Sequence, residues 1–167
     1  MTVDFKRIYE VLLGGGVEFV LIGGGAANLH GSPRNTLDVD VVYRRSHENM
    51  QRIADTLAPF KPYLRGAPPG LPFKFDLATM RAGLNFTLTT ELGDLDFLGE
   101  VAGGGTYEAL LPFMETKEAF GLAVPCVNLE KLIALKRAAG RPKDFEPIAE
   151  LEAIRQERLS GRTDFQP

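Results

Sequence analysis

Two aspartates separated by a single residue, Asp38-Val39-Asp40, follow the glycine run Gly23-Gly24-Gly25 by thirteen positions. Both motifs sit in apolar company. Phe19, Val20, Leu21 and Ile22 lead into the glycines, and Leu37, Val39, Val41 and Val42 surround the acids. Short apolar runs of this kind read as buried strands. Aspartate is depleted in strands, so a pair inside one asks for a reason. A strand turns alternate side chains to one face, which brings Asp38 and Asp40 together with Cα atoms roughly 6.6 Å apart at ~3.3 Å rise per residue. Two carboxylates can then converge on hard cations. On a helix the same pair would point in nearly opposite directions, so the chemistry depends on the strand.

A two-metal site asks for a third carboxylate from a neighbouring strand, and Gly93-Asp94-Leu95-Asp96-Phe97-Leu98 offers two with strand alternation. Asp96 is the favoured one and Asp94 a neighbour or turn residue. If this segment lies beside the Asp38 strand, opposed side chains come within ~5 Å at Cβ. Clustered carboxylates repel one another and raise some pKa values, so a cation is their natural counter-charge. The glycine run leaves a buried strand and opens a helix, where bare backbone N–H groups can receive a phosphate. A tight turn is its plainer reading. Asn28 stands where the dinucleotide fingerprint has its third glycine, and no Gly-Lys-Ser/Thr follows, so neither that motif nor a P-loop fits. The runs at Gly14 and Gly103 are explained by turns.

These groups must be positioned by a chain of 167 residues, 44% hydrophobic and 25% charged, which suits one domain with a sizeable core. A net charge of -3 argues against a general nucleic-acid coat. Cys126 is the only cysteine, which excludes an intramolecular disulfide and fits a reducing, cytoplasmic setting and a packed core thiol. No signal-peptide core forms before Gly14, and no run approaches the ~20 residues of a membrane span. Phe5, Ile8 and Leu12 predict a first helix, followed by a strand over Val17–Ile22, a short helix from the glycines that His30 ends, the Asp38 strand and a helix over Ser46–Leu57. Five prolines between Pro59 and Pro72 predict a surface loop. Leu84–Thr89 and Leu92–Leu98 read as a hairpin turning near Glu91–Gly93. Met114–Phe120 and Leu122–Val127 read as short strands. Asn128 and Gly140 bound a helix, and a last helix follows Asp144 with Pro147 in its first turn.

The string Ile22-Gly23-Gly24-Gly25-Ala26-Ala27, then His30-Gly31, Arg34, Thr36 and Asp38-Val39-Asp40-Val41-Val42, resembles the polymerase-beta-type nucleotidyltransferase superfamily. Within it the chain is most similar to the minimal bacterial branch of AbiEii-like toxins and related small nucleotidyltransferases. That pattern is a glycine pair, a helix, His-Gly, Arg-x-Thr, Asp-x-Asp and a later strand aspartate, a position that Asp96 fits. Leu132-Ile133-Ala134-Leu135-Lys136 with Ala139-Gly140-Arg141-Pro142-Lys143-Asp144 extends the resemblance, which covers about Val17 to Leu151. The proline-rich loop departs from the pattern.

The resemblance implies an α+β, polymerase-beta-like nucleotidyltransferase fold with a small mixed sheet flanked by helices, as a single domain over 1–167 with its core over about 17–127 and C-terminal helices over about 128–160. It implies transfer of a nucleoside monophosphate from an NTP to a hydroxyl acceptor on tRNA, protein or a small molecule. Asp38, Asp40 and Asp96 would hold two Mg²⁺ or Mn²⁺ ions, with Asp96 helping to deprotonate the acceptor. Gly23, Gly24, Gly25, Arg34, Thr36 and Lys136 would bind the nucleotide. Leu129, Leu132, Ile133 and Lys136 fall at helical spacing, so the lysine stands on an apolar stripe, where it either snorkels to the rim or reaches a buried anion such as a triphosphate. Arg141 and Lys143 add charge to that rim or are simply solvated. A toxin-type member would be silenced by an antitoxin, and a second copy of the chain could complete an acceptor cleft as a homodimer. The rival classes are a nucleotide-binding module without transfer, a two-metal carboxylate nuclease and a metal-dependent glycosyltransferase.

Overall fold

The computed structural model describes residues 2–164, and their elements surround one seven-stranded mixed sheet. Helix α1 (Phe5–Gly14) starts where the Asp4 carboxylate accepts from the Arg7 N–H, and it buries Ile8, Tyr9 and Leu12. Strand β1 (Phe19–Ile22) is buried throughout and passes straight into α2 (Gly23–Leu29). Strand β2 (Asp38–Tyr43) and helix α3 (His47–Leu57), capped by Ser46, follow as the pattern predicts.

The proline-rich stretch is more ordered than a surface loop. It holds a 3-10 turn, Ala58–Phe60, and the two-residue strand β3 (Tyr63–Leu64). β3 pairs antiparallel with β4 (Asn85–Thr90) at the sheet edge, where flanking prolines need no ladder partner. Helix α4 (Leu77–Ala82), capped by Asp76, precedes β4 and has no counterpart in the sequence reading. β4 and β5 (Gly93–Leu98) form the expected hairpin. The glycines at 103–105 turn a small second hairpin, β6 (Glu100–Val101) with β7 (Gly105–Thr106), which leads into the short helix α5 (Tyr107–Leu110). β8 (Met114–Ala119) and β9 (Leu122–Val127) pair antiparallel. Helix α6 (Leu129–Ala139) runs from its Asn128 cap to Gly140, and α7 (Phe145–Asp164) starts directly after Asp144 with Pro147 in its first turn.

The strand order is β3-β4-β5-β2-β1-β9-β8. β1 runs antiparallel to β2 and parallel to β9, while β2 runs parallel to β5. Two helix groups form, α3 packing against α1 and α4, and α6 packing against α2 and α7. Cys126 is fully buried in β9, and burial pushes its thiol up to about 12, which makes it a core residue rather than a nucleophile.

Two buried polar side chains fasten the helices to the sheet. His30 ends α2 as expected, and its ring is buried with Nε2 2.8 Å from the Val127 carbonyl oxygen. Arg158 of α7 donates to His30 Nδ1 at 3.4 Å and to the His30 carbonyl at 3.0 Å, so Nδ1 accepts, Nε2–H donates and the ring is neutral. Burial pushes its pKa down in the same sense. Asn49 of α3 accepts from the Glu18 N–H at 2.7 Å and donates to the Glu18 and Arg44 carbonyls at 2.9 and 2.8 Å. It clamps the chain before β1 to the chain after β2. No helix among the described residues is long and apolar enough to cross a membrane.

Asn49→Ala removes a fully buried side chain and leaves the Glu18 N–H and the Arg44 carbonyl without partners, while the Glu18 carbonyl keeps the Arg44 N–H at 3.2 Å. The expected loss is about 2–4 kcal/mol of unfolding free energy, at ~1–3 kcal/mol for each group that finds no water. Urea unfolding of the two proteins side by side measures it.

Candidate functional site

Parallel pairing of β2 and β5 sets Asp38 opposite Asp94 and Asp40 opposite Asp96. Val39, Val41, Leu95 and Phe97 are fully buried on the other face, so strand alternation sends all four acids out on one side. Asp38, Asp40 and Asp96 each bring a carboxylate oxygen within 4.8 Å of the others. Asp94 stands outside this trio. Burial raises the pKa of Asp40, and the charge of Asp38 and the hydrogen bond and charge of Asp96 raise it further, up to about 8. Asp38 is raised as well, first by burial and then by Asp96, with Arg65 opposing. Clustered oxygen donors of this kind suit Mg²⁺ or Mn²⁺ and make a poor site for softer metals.

The glycine run is shaped around these acids. At Gly23, where φ is +67°, an added Cβ would stand 2.3 Å from Asp40 Oδ2, so a side chain would have to displace the carboxylate. At Gly24 it would meet Thr36 Oγ1 at 2.6 Å. Thr36 donates to Asn28 Oδ1 at 2.9 Å, and Asn28 Nδ2 donates to the Ser32 and Arg34 carbonyls at 3.0 and 2.8 Å. Asn28, which the sequence reading noted only for breaking a fingerprint, ties the loop before β2 to α2.

Facing the acids across the cleft is Lys136. Its stripe neighbours Leu129, Leu132 and Ile133 are buried, and its own side chain is 12% exposed. Nζ lies 4.0 Å from Asp144, which also accepts from Arg141 Nε at 2.7 Å. Burial lowers the Lys136 pKa while Asp144 opposes. Two cavities meet here. One, of about 380 Å³, is lined by Gly23, Gly24, Thr36, Asp38, Lys136 and Lys143 among others, and the second, of about 370 Å³, extends toward β6 and α6. Asp40, Asp96, Lys136 and Arg141 border both. Arg34 lines the first cavity, but its guanidinium is held by Glu150 at 2.8 Å and Glu146 at 3.2 Å on α7.

The group that sequence reasoning missed is Arg65. It follows β3, and its guanidinium reaches Asp96 at 2.7 Å, Asp94 at 3.2 Å and Asp38 at 3.7 Å, while also donating to the Leu88 carbonyl at 2.8 Å. The protein thus supplies one counter-charge of its own where the sequence reading looked only to a cation. A two-residue edge strand has no periodicity to announce it, and the prolines around it read as loop.

No protein-family model matches the chain, and no curated protein matches it in sequence. Solved structures do match. The lincosamide antibiotic adenylyltransferase LnuA, in its lincomycin-bound form, superposes with a TM-score of 0.62 at 16% identity, over 92% of this chain and 99% of that one. The fold is a nucleotidyltransferase fold. A Thermotoga maritima protein assigned as a nucleotidyltransferase matches with a TM-score of 0.50 at 15% identity, over 93% of this chain and 90% of its own.

Two outcomes are expected at the acidic cluster. Because the folded pKa of Asp40 lies above its unfolded value, the folded state holds a proton that the unfolded chain has lost, and metal-free stability falls as pH rises from about 4 toward 8. Mn²⁺ should therefore raise the melting temperature more at pH 8 than at pH 6, and Asp40→Asn should flatten both dependences in thermal melts. Arg65→Gln should cost about 1–3 kcal/mol without metal, since it strips a partly buried counter-charge from the acids, and that deficit should shrink when Mn²⁺ is added.

Proposed function

We propose that this protein is a metal-dependent nucleotidyltransferase that moves a nucleoside monophosphate from an NTP to a hydroxyl acceptor. The observation that carries the reading is the convergence of Asp38, Asp40 and Asp96 on one face beside the opening of α2, with Lys136 across the cleft. Asp38, Asp40 and Asp96 would hold the divalent ions. Bound there, the ions supply Lewis-acid polarisation of the phosphate and a lowered pKa for the attacking hydroxyl.

The remaining parts belong to the chain itself. Lys136, Arg141 and Lys143 give the first cavity the positive lining that a triphosphate requires, and the bare glycines let phosphate oxygens approach the backbone. In the transfer, the acceptor oxygen bonds to the α-phosphorus, and the bond from that phosphorus to the oxygen bridging to the β-phosphorus breaks. Pyrophosphate leaves with the electron pair, and the hydroxyl proton passes to Asp96 and on to water. Phosphoryl chemistry of this type needs positioning and charge stabilisation, with no protein nucleophile. Arg34 has a structural role in this reading, pairing α7 to the loop before β2.

The motif order favours one second reading, an AbiEii-like toxin that modifies tRNA and is silenced by an antitoxin. A nuclease has no use for a triphosphate cavity, and cleavage of nucleic acid without added NTP would identify one.

The test is the thermal shift of the protein with each of the four NTPs and Mg²⁺, followed by transfer of labelled nucleotide. The expected result is a metal-dependent stabilisation by at least one NTP. Asp40→Asn should remain folded and lower transfer by at least about 10³-fold, a loss of ~4 kcal/mol in transition-state stabilisation. Full activity in that variant would overturn the mechanism.

A further inference from the structure

The second cavity differs in kind from the first. Its walls are Ile22, Leu98, Val101, Leu132 and Leu135, with Ala102 and Ala139 at the rim, and its volume is about 370 Å³. That is the scale of a small-molecule site rather than a groove for a folded macromolecule. Leu98 shares the outward face of β5 with Asp94 and Asp96, so the apolar wall runs directly into the acidic trio. Besides Asp40, Asp96 and the two cations Lys136 and Arg141, the polar side chains lining it are Asn85 and Glu100. Asn85 Oδ1 accepts from the Gly99 N–H at 2.9 Å, which leaves its amide donors for a ligand. Glu100 is exposed, and its carboxylate makes no ion pair among the described residues.

The wall that carries Glu100 and Val101 is built rather than incidental. Lys131 Nζ donates to the Gly103 carbonyl at 3.1 Å and holds the β6–β7 hairpin against α6. A Cβ at Gly103 would stand 2.5 Å from Ala138 Cβ, and one at Gly104 would stand 2.6 Å from Leu135 Cδ2. Glycines let the hairpin lie flat on the helix, and the neighbouring Val101 and Ala102 face the same cavity as Leu135 and Ala139. The run that reads in sequence as a plain turn therefore shapes this wall.

We propose that this cavity is the acceptor site, and that it takes a small hydroxylated molecule with an apolar body and a protonated amine. The proposal rests on the nucleotidyltransferase reading and deepens it. The apolar walls bury the body of the molecule, Glu100 faces its amine, and the hydroxyl reaches Asp96 and Asp40, which border both cavities. Nucleotide and acceptor enter from opposite sides of the same carboxylates. Among the described residues, the cations lining this cavity are Lys136 and Arg141, which also border the triphosphate side, so they give a tRNA end no basic track of its own into the cavity.

The experiment uses the full chain with labelled NTP and Mg²⁺, offered in parallel bulk tRNA, total soluble protein and a defined panel of hydroxylated amines below about 500 Da, with neutral analogues. Two variants accompany the wild type. Ala139→Trp fills the cavity from an exposed helix position, and Glu100→Gln removes the charge alone. The expected result is label on members of the amine panel, a loss of more than tenfold in Ala139→Trp, and a KM raised about tenfold in Glu100→Gln for amines and unchanged for neutral analogues. Thermal stabilisation by NTP should persist in both variants. Label confined to tRNA or protein, label insensitive to Ala139→Trp, or no label despite NTP stabilisation overturns the acceptor assignment alone. Absence of NTP stabilisation in the wild type overturns the donor reading and the acceptor assignment with it.

Discussion

Negative charge concentrated on one face of a sheet is the constraint around which this molecule is arranged. Parallel pairing of β2 with β5 is indifferent to what the side chains carry, and it sets carboxylates opposite one another at two successive outward positions. A hydrophobic face of Val39, Val41, Leu95 and Phe97 on the reverse fixes the register, because a slip of one residue would bury the acids and expose the core. The repulsion is thereby built in by the core. Everything nearby answers it: the Arg65 guanidinium, the missing side chain at Gly23, and the largely buried Lys136.

The cationic side of the cleft obeys a matching rule. Asp144 is buried and neighbours both Lys136 and Arg141, so the two bases are spaced and oriented by an acid that is itself almost out of reach of solvent. Arg34 is drawn away in the other direction by Glu146 and Glu150. Helix α7 therefore does more than cover the sheet, for its first turns decide which of the basic residues face the cavity and which are neutralised. The His30 and Arg158 contact holds the same helix farther along.

Much of this was legible in the chain because the signals were local. Apolar runs with alternating acids gave β2 and β5, Asn128 and Gly140 bounded α6, and the spacing of Leu129, Leu132, Ile133 and Lys136 placed the lysine on the buried stripe. What escaped was non-local. Arg65 meets Asp96 from 31 positions away through a strand of two residues, and Arg34 meets Glu150 across 116 positions. No periodicity encodes such pairings, and a basic residue near a glycine loop looks the same in sequence whether it faces a phosphate or a glutamate.

The sheet ends on one side at β8, whose outer backbone groups pair with no further strand among the described residues. An open ladder of six residues is ordinarily a template for other chains. Here Glu115, Lys117 and Glu118 put charge on both faces of that strand, and Lys117 lies 3.6 Å from Glu115. Any extended peptide adding to this edge would have to dehydrate those groups, a cost that works against edge-to-edge strand addition.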